Sequence, residues 1–531
     1  MTLKRAIVSV HHKEGVVELG RGLVARGFEV VSTGGTAKAL REAGVPVRGV
    51  SEVTGFPEIL GGRVKTLHPA IHGGILARSD VAEHRQELEK HGVVPVTVVV
   101  VNLYPFAETV ARGAPFAEVV ENIDIGGPTL LRASAKNFQH VSVVVDPLDY
   151  TLLLEQLDRP QGPDPATRLY FAQKAFRHTA SYEAAIAGYF HAVEEKDGAF
   201  TGTETEEAFP YRLNLTFEKA QDLRYGENPH QRASFYSDLG SSLLSVSAAR
   251  KLQGKELSFN HILDLDAAWR LASDLEGGAC VIIKHTNPCG TGLGATPAEA
   301  WARAWAGDPV SAFGSVLAFT RPLDRACAES LVSGNRFVEA IVAPRFEEDA
   351  LELLTTKPKW GKNVRLLECG EFGPSGRDAR DIEVKKLVGG FLLQDRDLLA
   401  AEASDLRTVT KRAPTAKETR GLLFADKVGK HVKSNSIVLA NGTQVVGVGA
   451  GQMSRVDSVR LAVSKAGDRS KGSVLGSDAF FPFPDGVLAA LDAGVTAILQ
   501  PGGSVRDPEV IAACDERAAA MVFSGMRHFR H

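Results

Sequence analysis

Residues 96–102 read VTVVVVN, an almost unbroken β-branched run with no alternating polar positions. A strand of this kind has no face to give to water. It belongs in a sheet covered on both sides, the usual state of parallel sheets in α/β proteins. The flanking sequence agrees with this. Residues 5–10 and 28–32 read as further strands, 13–26 and 36–42 as helices, and 141–145 as a last strand. Strand–helix alternation predicts an α/β domain. Buried-strand patterns return at 279–283, 315–319, 445–448 and 497–500, with enough chain for two more α/β lobes.

A chain of 531 residues is too long for one hydrophobic core. Residues 146–191 read as amphipathic helix, and 196–210, with Gly198, Gly202 and acidic or threonine-rich positions, as the linker. The expected division is therefore a first domain at 1–146, a helical connection and linker at 147–200, and a second domain at 201–531. A formal net charge of −3 gives no basic field for nucleic acid or an anionic membrane. Five scattered cysteines without a C-x-x-C pair argue against a disulfide framework and a structural zinc site. Met1-Thr2-Leu3-Lys4-Arg5 does not read as a signal peptide, and no run is long enough to span a bilayer. The cytoplasm is the expected compartment.

Within the first domain, Ser32-Thr33-Gly34-Gly35-Thr36 lies between a strand and a helix. Alone it reads first as a tight turn with Thr36 as N-cap. The same geometry also presents backbone N–H groups and a helix dipole to an anion. Gly61-Gly62-Arg63-Val64-Lys65-Thr66 can bring cations to a phosphate or an oxyanion, although a solvated loop has the same composition. Asn102 and Tyr104 follow the most apolar strand, and ligands of open α/β sheets sit at such strand ends. Asp124-Ile125-Gly126-Gly127-Pro128 leads into a helix that carries Lys136, with Pro128 suited to its first turn. Together these segments are expected to put Lys, Tyr, Asp and Asn groups on one rim, as acid–base chemistry on an amide requires.

In the second domain, Arg224-Tyr225-Gly226-Glu227-Asn228-Pro229 is a polar loop, and the strand at 279–283 ends in Lys284-His285. A base and an electrophile fit that place, though two solvated cations at a strand edge would look alike. Asn287-Pro288-Cys289 resembles part of a zinc-deaminase element, but position 292 is Gly292 where a second cysteine is needed, so the metal reading fails. Gly447-Val448-Gly449-Ala450-Gly451 is followed by Gln452, which removes the last glycine of a dinucleotide fingerprint.

The strings STGGTAKAL, TGFPEILGGRVKTLHP, VVNLYPFAETV and ENIDIGGPTLLRASAKN resemble inosine-monophosphate cyclohydrolase domains. DLRYGENPHQ, KHTNPCG, DPVSAFGS, RFVEAIVAP, VKSNSIV, GAGQMSR, SDAFFPFPD, QPGGSVRD and MRHFRH resemble the aminoimidazole-carboxamide ribonucleotide transformylase domain. The chain thus resembles the bifunctional enzymes of purine synthesis along its whole length. The resemblance implies a methylglyoxal-synthase-like parallel-sheet domain followed by two cytidine-deaminase-like lobes without metal. It also implies 10-formyltetrahydrofolate as co-substrate, small nucleotide and folate substrates, no nucleic acid or membrane partner, and a homodimer with transformylase sites at the subunit interface.

By the same resemblance, the cyclohydrolase nucleotide site is Lys13, Thr33, Gly34, Gly35, Thr36, Arg63, Lys65, Thr66, Asn102, Asp124 and Ile125. Lys136 is its acid–base lysine, with Lys65, Tyr104 and Asp124 beside it. The transformylase nucleotide site is Arg224, Tyr225, Lys284, His285, Gly314, Glu339, Asn435 and Arg455. The folate site is Val456, Phe480, Phe483, Asp485, Ser504, Val505, Arg527 and His531. Four positions depart from the common pattern: His11-His12 for Ser-Asp, Glu339 where some members have Asp, and Pro484 where others have Arg. A neutral His285 is expected to take the amine proton, Lys284 to meet the developing oxyanion, and Arg224 and Arg455 to hold the 5′-phosphate. The alternative is a transformylase whose N-terminal domain only senses nucleotides; intact Lys65, Tyr104, Asp124 and Lys136 argue against it.

Overall fold

The computed structural model describes residues 4–202, 209, 211–238, 245–371 and 382–531. Met1 to Leu3, and the linker positions 203–208 and 210, lie outside the described residues. The chain divides into two compact units, Met1–Thr216 and Phe217–His531.

In the first unit β1 (Lys4–Ser9), β2 (Phe28–Ser32), β3 (Arg48–Gly49), β4 (Val96–Val101) and β5 (Ser142–Val144) form a wholly parallel sheet, ordered β3-β2-β1-β4-β5. Val98 to Val101 are 0–1% exposed, as a strand without a wet face must be. The helices that cover the sheet include α1 (Val16–Ala25), α2 (Gly34–Glu42), α3 (Gly126–Lys136) and α4 (Pro165–His191). α1 starts three residues later than expected, capped by Gly15 at φ 65°, because residues 10–14 form a loop instead. α2 starts earlier, with Thr33 rather than Thr36 at the N-cap.

α4 departs most from its expected role as a connection. Asp164 caps it by accepting from the Thr167 amide at 2.7 Å, and Pro165 opens it. Its Phe171, Ala172 and Ala175 then pack into the core of the first sheet. The hairpin at 193–202 follows, and Phe200 stacks on Phe116 at 5.2 Å. The first unit therefore keeps residues whose polar composition looked like linker.

The second unit holds a twelve-stranded sheet. From one edge its order is Arg250–Gln253, Arg365–Glu368, Val338–Ala343, Ser315–Phe319, Ala279–Lys284 (β6) and Asn287–Leu293 (β7). It continues through Gln444–Gly449, Ile437–Asn441, Val474–Ser477, Ala497–Gln500, Ala520–Phe523 and Arg407–Thr408. The two halves repeat one pattern of parallel and antiparallel pairs and meet at Gly292↔Gln444, so the expected lobes share one sheet. β6 shows why its run is apolar throughout. Val281 and Ile283 face a core spanning both lobes, while Cys280 and Ile282 face the core around Trp301.

Each lobe has a helix laid flat on its inner strand. A Cβ on Gly290 would stand 2.1 Å from the Ala304 carbonyl oxygen, and one on Gly449 would stand 1.9 Å from that of Ser458. Gly447 and Gly449 of the string GVGAG thus serve helix packing. Among the described residues no helix is long and apolar enough to cross a membrane, and all five cysteines are free.

Gly449→Ala should lower the stability of the second unit by at least about 1–3 kcal/mol, since backbone has to move. Gly390→Ala, whose Cβ would meet nothing within 4 Å, should leave it nearly unchanged. Urea denaturation of both variants tests this; equal midpoints would refute the packing argument.

Candidate active sites

Five loops, those after β1, β2 and β4, the one at residues 61–67 and the one before α3, surround a cavity of about 590 Å³ in the first unit. That volume suits a small-molecule ligand. Its walls include Lys13, Thr33, Gly34, Gly35, Thr36, Arg63, Lys65, Thr66, Asn102, Tyr104, Asp124 and Ile125, which is every expected residue of this unit except Lys136. Lys136 occupies the last turn of α3, ten residues from Gly126, or about 15 Å along the axis. Lys136 is therefore not among the cavity's walls: α3 points its N-terminus at the cavity and carries Lys136 toward its far end.

The loop after β1 is fixed by side chains from elsewhere. Asn102, 8% exposed, accepts from the amides of His11 and His12 through Oδ1 and donates to the His12 carbonyl at 3.2 Å. Its amide is therefore used to shape the wall. His11 and His12 are held by their backbone, contacts that do not depend on which side chains stand there. Thr36 serves the same purpose: its Oγ1 accepts from the Val10 amide at 3.1 Å and donates to the Val10 carbonyl at 2.8 Å.

The cavity carries both signs of charge. α2 offers its N-terminus at Gly34-Gly35, where a Cβ on Gly34 would lie 3.6 Å from Lys65 Nζ. Lys65 also faces Glu58 at 3.7 Å, and Arg63 is paired with Glu121. Asp124 accepts from the Gly127 amide at 2.8 Å and so caps α3. Burial pushes the Asp124 carboxyl above its usual range, an effect opposed by the amides of Gly127, Tyr104 and Gly126 and by Lys65. Tyr182 of α4 accepts from the Asp124 amide at 2.8 Å and donates to the Asn122 carbonyl at 3.0 Å. Sequence reasoning missed Tyr182, which lies 58 residues away in the supposed connection. The His11 ring meets the Tyr104 ring edge-on at 5.9 Å.

In the second unit Lys284 ends β6 and donates to the carbonyls of Phe313 and Gly314, each at 2.9 Å. Two of its three N–H donors are thus placed, leaving one for a ligand. Gly314 has φ 68°, and a Cβ there would crowd Phe337 at 3.2 Å. Exposed His285 follows in the turn between β6 and β7. Glu339 receives Arg365 at 2.8 Å and faces His261 Nε2 at 3.5 Å, and His261 first, then Arg365, holds its carboxyl below the usual range. His261 Nδ1 accepts from the Ser258 amide at 3.1 Å, which assigns the ring proton to Nε2, toward Glu339. His261 was also missed; its partner lies on a distant strand.

Arg455, 8% exposed, donates to Asp478, to Ser477 Oγ at 2.8 Å and to Asn435 Oδ1 at 2.8 Å. Asp478 is 2% exposed. Its guanidinium neutralises a buried carboxylate and orients Asn435, so a phosphate would have to be met by the N–H donors that these three bonds leave. Asn435 Nδ2 is itself committed to the Gln452 and Met453 carbonyls. Arg224 stays exposed, 5.7 Å over the Tyr225 ring.

The folate-site candidates lie on surface rather than in a closed pocket. Phe480, Phe483 and Val505 are 38%, 48% and 100% exposed. Arg506 stacks 4.7 Å over Phe483, and Arg527 stacks 4.6 Å over Phe529, whose ring faces His531. Asp485, next to N1 residue Pro484, bonds the Gly486 amide; Ser504 bonds Asp507 through its own amide; and Val456 follows Arg455 in its helix. Pro484 suits a first-turn position, which accounts locally for its departure from Arg. Among the described residues no group of three or more His, Cys, Asp or Glu is placed to hold a metal.

The family described as "AICARFT/IMPCHase bienzyme" matches residues 134–465, and the "MGS-like domain" matches residues 15–129. Two proteins from Desulfitobacterium hafniense, strains DSM 10664 / DCB-2 and Y51, are each named "Bifunctional purine biosynthesis protein PurH". Each is 52% identical over 532 residues, covering 99% of this chain and 100% of the relative. A solved structure described as "Crystal structure of ForH" is 36% identical, covers 36% of this chain and 100% of its own, and has a TM-score of 0.32.

Arg455→Ala leaves the buried Asp478 carboxylate with the Ser434 hydroxyl but without its cation, so it should destabilise the second unit by about 3–5 kcal/mol. Urea denaturation with direct nucleotide titration tests this. Unchanged stability with weakened nucleotide binding would return the guanidinium to the phosphate role.

Proposed function

The chain belongs to the AICARFT/IMPCHase bienzyme family, and from that membership and its two sites we infer that it performs both reactions. It transfers a formyl group to 5-aminoimidazole-4-carboxamide ribonucleotide and closes the product to inosine monophosphate. The observation that carries this reading is the pairing, in one chain, of a nucleotide-sized cavity lined by Lys65, Tyr104 and Asp124 with a strand end bearing Lys284 and His285.

The formyl donor is 10-formyltetrahydrofolate. The substrate amine attacks its formyl carbon, the new C–N bond forms, and the bond to the folate nitrogen breaks. That amine is a poor nucleophile, because its lone pair is shared with the ring. His285 takes its proton and returns one to the departing folate nitrogen, and the third N–H of Lys284 meets the charge that develops on the formyl oxygen. Phe480 and Phe483 offer the pterin apolar faces.

Ring closure follows in the first unit. The carboxamide nitrogen attacks the formyl carbon and gives up one proton, the formylated amine nitrogen gives up a second as the ring double bond forms, and the formyl oxygen takes both and leaves as water. The N-terminus of α2, with Lys13 and Lys65, receives the phosphate or oxyanion, and Asp124 and Tyr104 are the acid–base groups in reach. Holding the two reacting groups together supplies much of the acceleration. Lys136, the acid–base lysine that the family resemblance implies, stands in the last turn of α3, outside the walls of this cavity.

The two activities should separate by mutation. His285→Ala should cut formyl transfer by about 100-fold or more, yet leave closure of supplied formylated intermediate unchanged. Lys65→Ala and Asp124→Ala should do the reverse, so that the intermediate accumulates. Product chromatography on the folded variants decides, and joint loss of both activities in any one of them would contradict the division of labour.

A further inference from the structure

The turn that carries His285 is strained. β6 and β7 end in the pair Lys284↔Asn287, which leaves only His285 and Thr286 to reverse the chain, at φ 52° and 60°. Two-residue turns with both φ values positive match the strand twist and normally hold Asn or Gly. Threonine is branched at Cβ and is an outlier in this region. Such a conformation persists only where the surroundings impose it.

Asp264 supplies that constraint. Its Oδ2 accepts from the His285 amide at 3.2 Å and its Oδ1 from the Thr286 amide at 2.7 Å. The carboxylate comes from α5 (Phe259–Asp274), a helix whose first turn is closed by reciprocal bonds between Ser258 and His261 and whose Leu265 and Ala268 are fully buried. It is therefore mounted on a rigid element. On the other side of the turn, the His285 carbonyl accepts from Thr286 Oγ1 at 2.7 Å and Asn287 Nδ2 at 3.0 Å. The backbone of His285 is held on both sides, while among the described residues its ring has no hydrogen bond.

We propose that Asp264 is a positioning residue for formyl transfer: its two oxygens pin the two amides of the His285-Thr286 turn and so aim the imidazole at the substrate amine. This rests on the assignment of His285 to that reaction. A carboxylate suits the task because two convergent N–H donors need two acceptors. An amide would set its own NH₂ against one of them. With the clamp removed, Thr286 relaxes toward negative φ and the ring moves, and a misplacement of about 1 Å can cost about 100-fold in rate.

The test uses the full chain, with kcat and KM for the ribonucleotide measured in formyl transfer. Asp264→Ala should lower kcat by about 10- to 100-fold with KM little changed, and Asp264→Asn should fall between it and the parent. Adding Thr286→Gly to Asp264→Ala should return part of the lost kcat, because glycine adopts positive φ without steric cost. A merely structural role gives no such rescue. His285→Ala is the reference arm. If it loses activity while Asp264→Ala keeps normal kcat, or if Thr286→Gly restores nothing, the positioning role is overturned and the assignment of His285 stands. If His285→Ala turns over normally, that assignment itself fails and the proposal falls with it.

Discussion

Strands buried on both faces confine chemistry to their ends, and that constraint organises this protein. Val98 to Val101 and Cys280 to Ile283 have no polar position to spare. Every inward- and outward-facing side chain is used to pack helices on the sheet. Asn102 and Tyr104 follow the first of these strands, and Lys284 and His285 follow the second. The phosphate-type loop at Thr33 to Thr36 likewise follows β2. The functional groups sit where the apolar pattern stops.

Strand ends are mobile unless something holds them, and here the holding groups come from elsewhere in the chain. Asn102 braces the loop after β1, Tyr182 braces Asp124, Asp264 braces the turn at His285, and Asp478 fixes Arg455 and through it Asn435. Most of these braces are half-buried or better, where an unmatched partner costs more than it does in water, and the Asp264 bond to the His285 amide is the exposed one. The acid–base groups therefore stay partly exposed and available, while less accessible neighbours hold their positions.

This separation explains what could be read from the sequence and what could not. The strands were legible because double-sided burial leaves a compositional mark, and the cavity walls were legible because Gly-rich and cationic strings cluster locally. The braces have no local signature. Asp264 lies 21 residues from His285, and Asp478 lies 23 from Arg455. The sequence pairs Arg455 with a phosphate and gives no sign of the Asp478 carboxylate that follows the strand 474–477. Lys136 was placed on the rim because it follows Asp124 closely in sequence, but a helix carries it about 15 Å along its axis. The glycines at 447 and 449 resembled a nucleotide loop, yet they answer a steric demand from a helix backbone.

The central claim is that one chain both installs the formyl carbon and locks it into a ring. The most direct measurement supplies the purified protein with 5-aminoimidazole-4-carboxamide ribonucleotide and 10-formyltetrahydrofolate labelled with ¹³C in the formyl group. The account predicts inosine monophosphate carrying the label in its newly closed ring, with no lasting pool of formylated intermediate. Labelled intermediate that accumulates without closing would contradict it, as would a complete absence of labelled nucleotide.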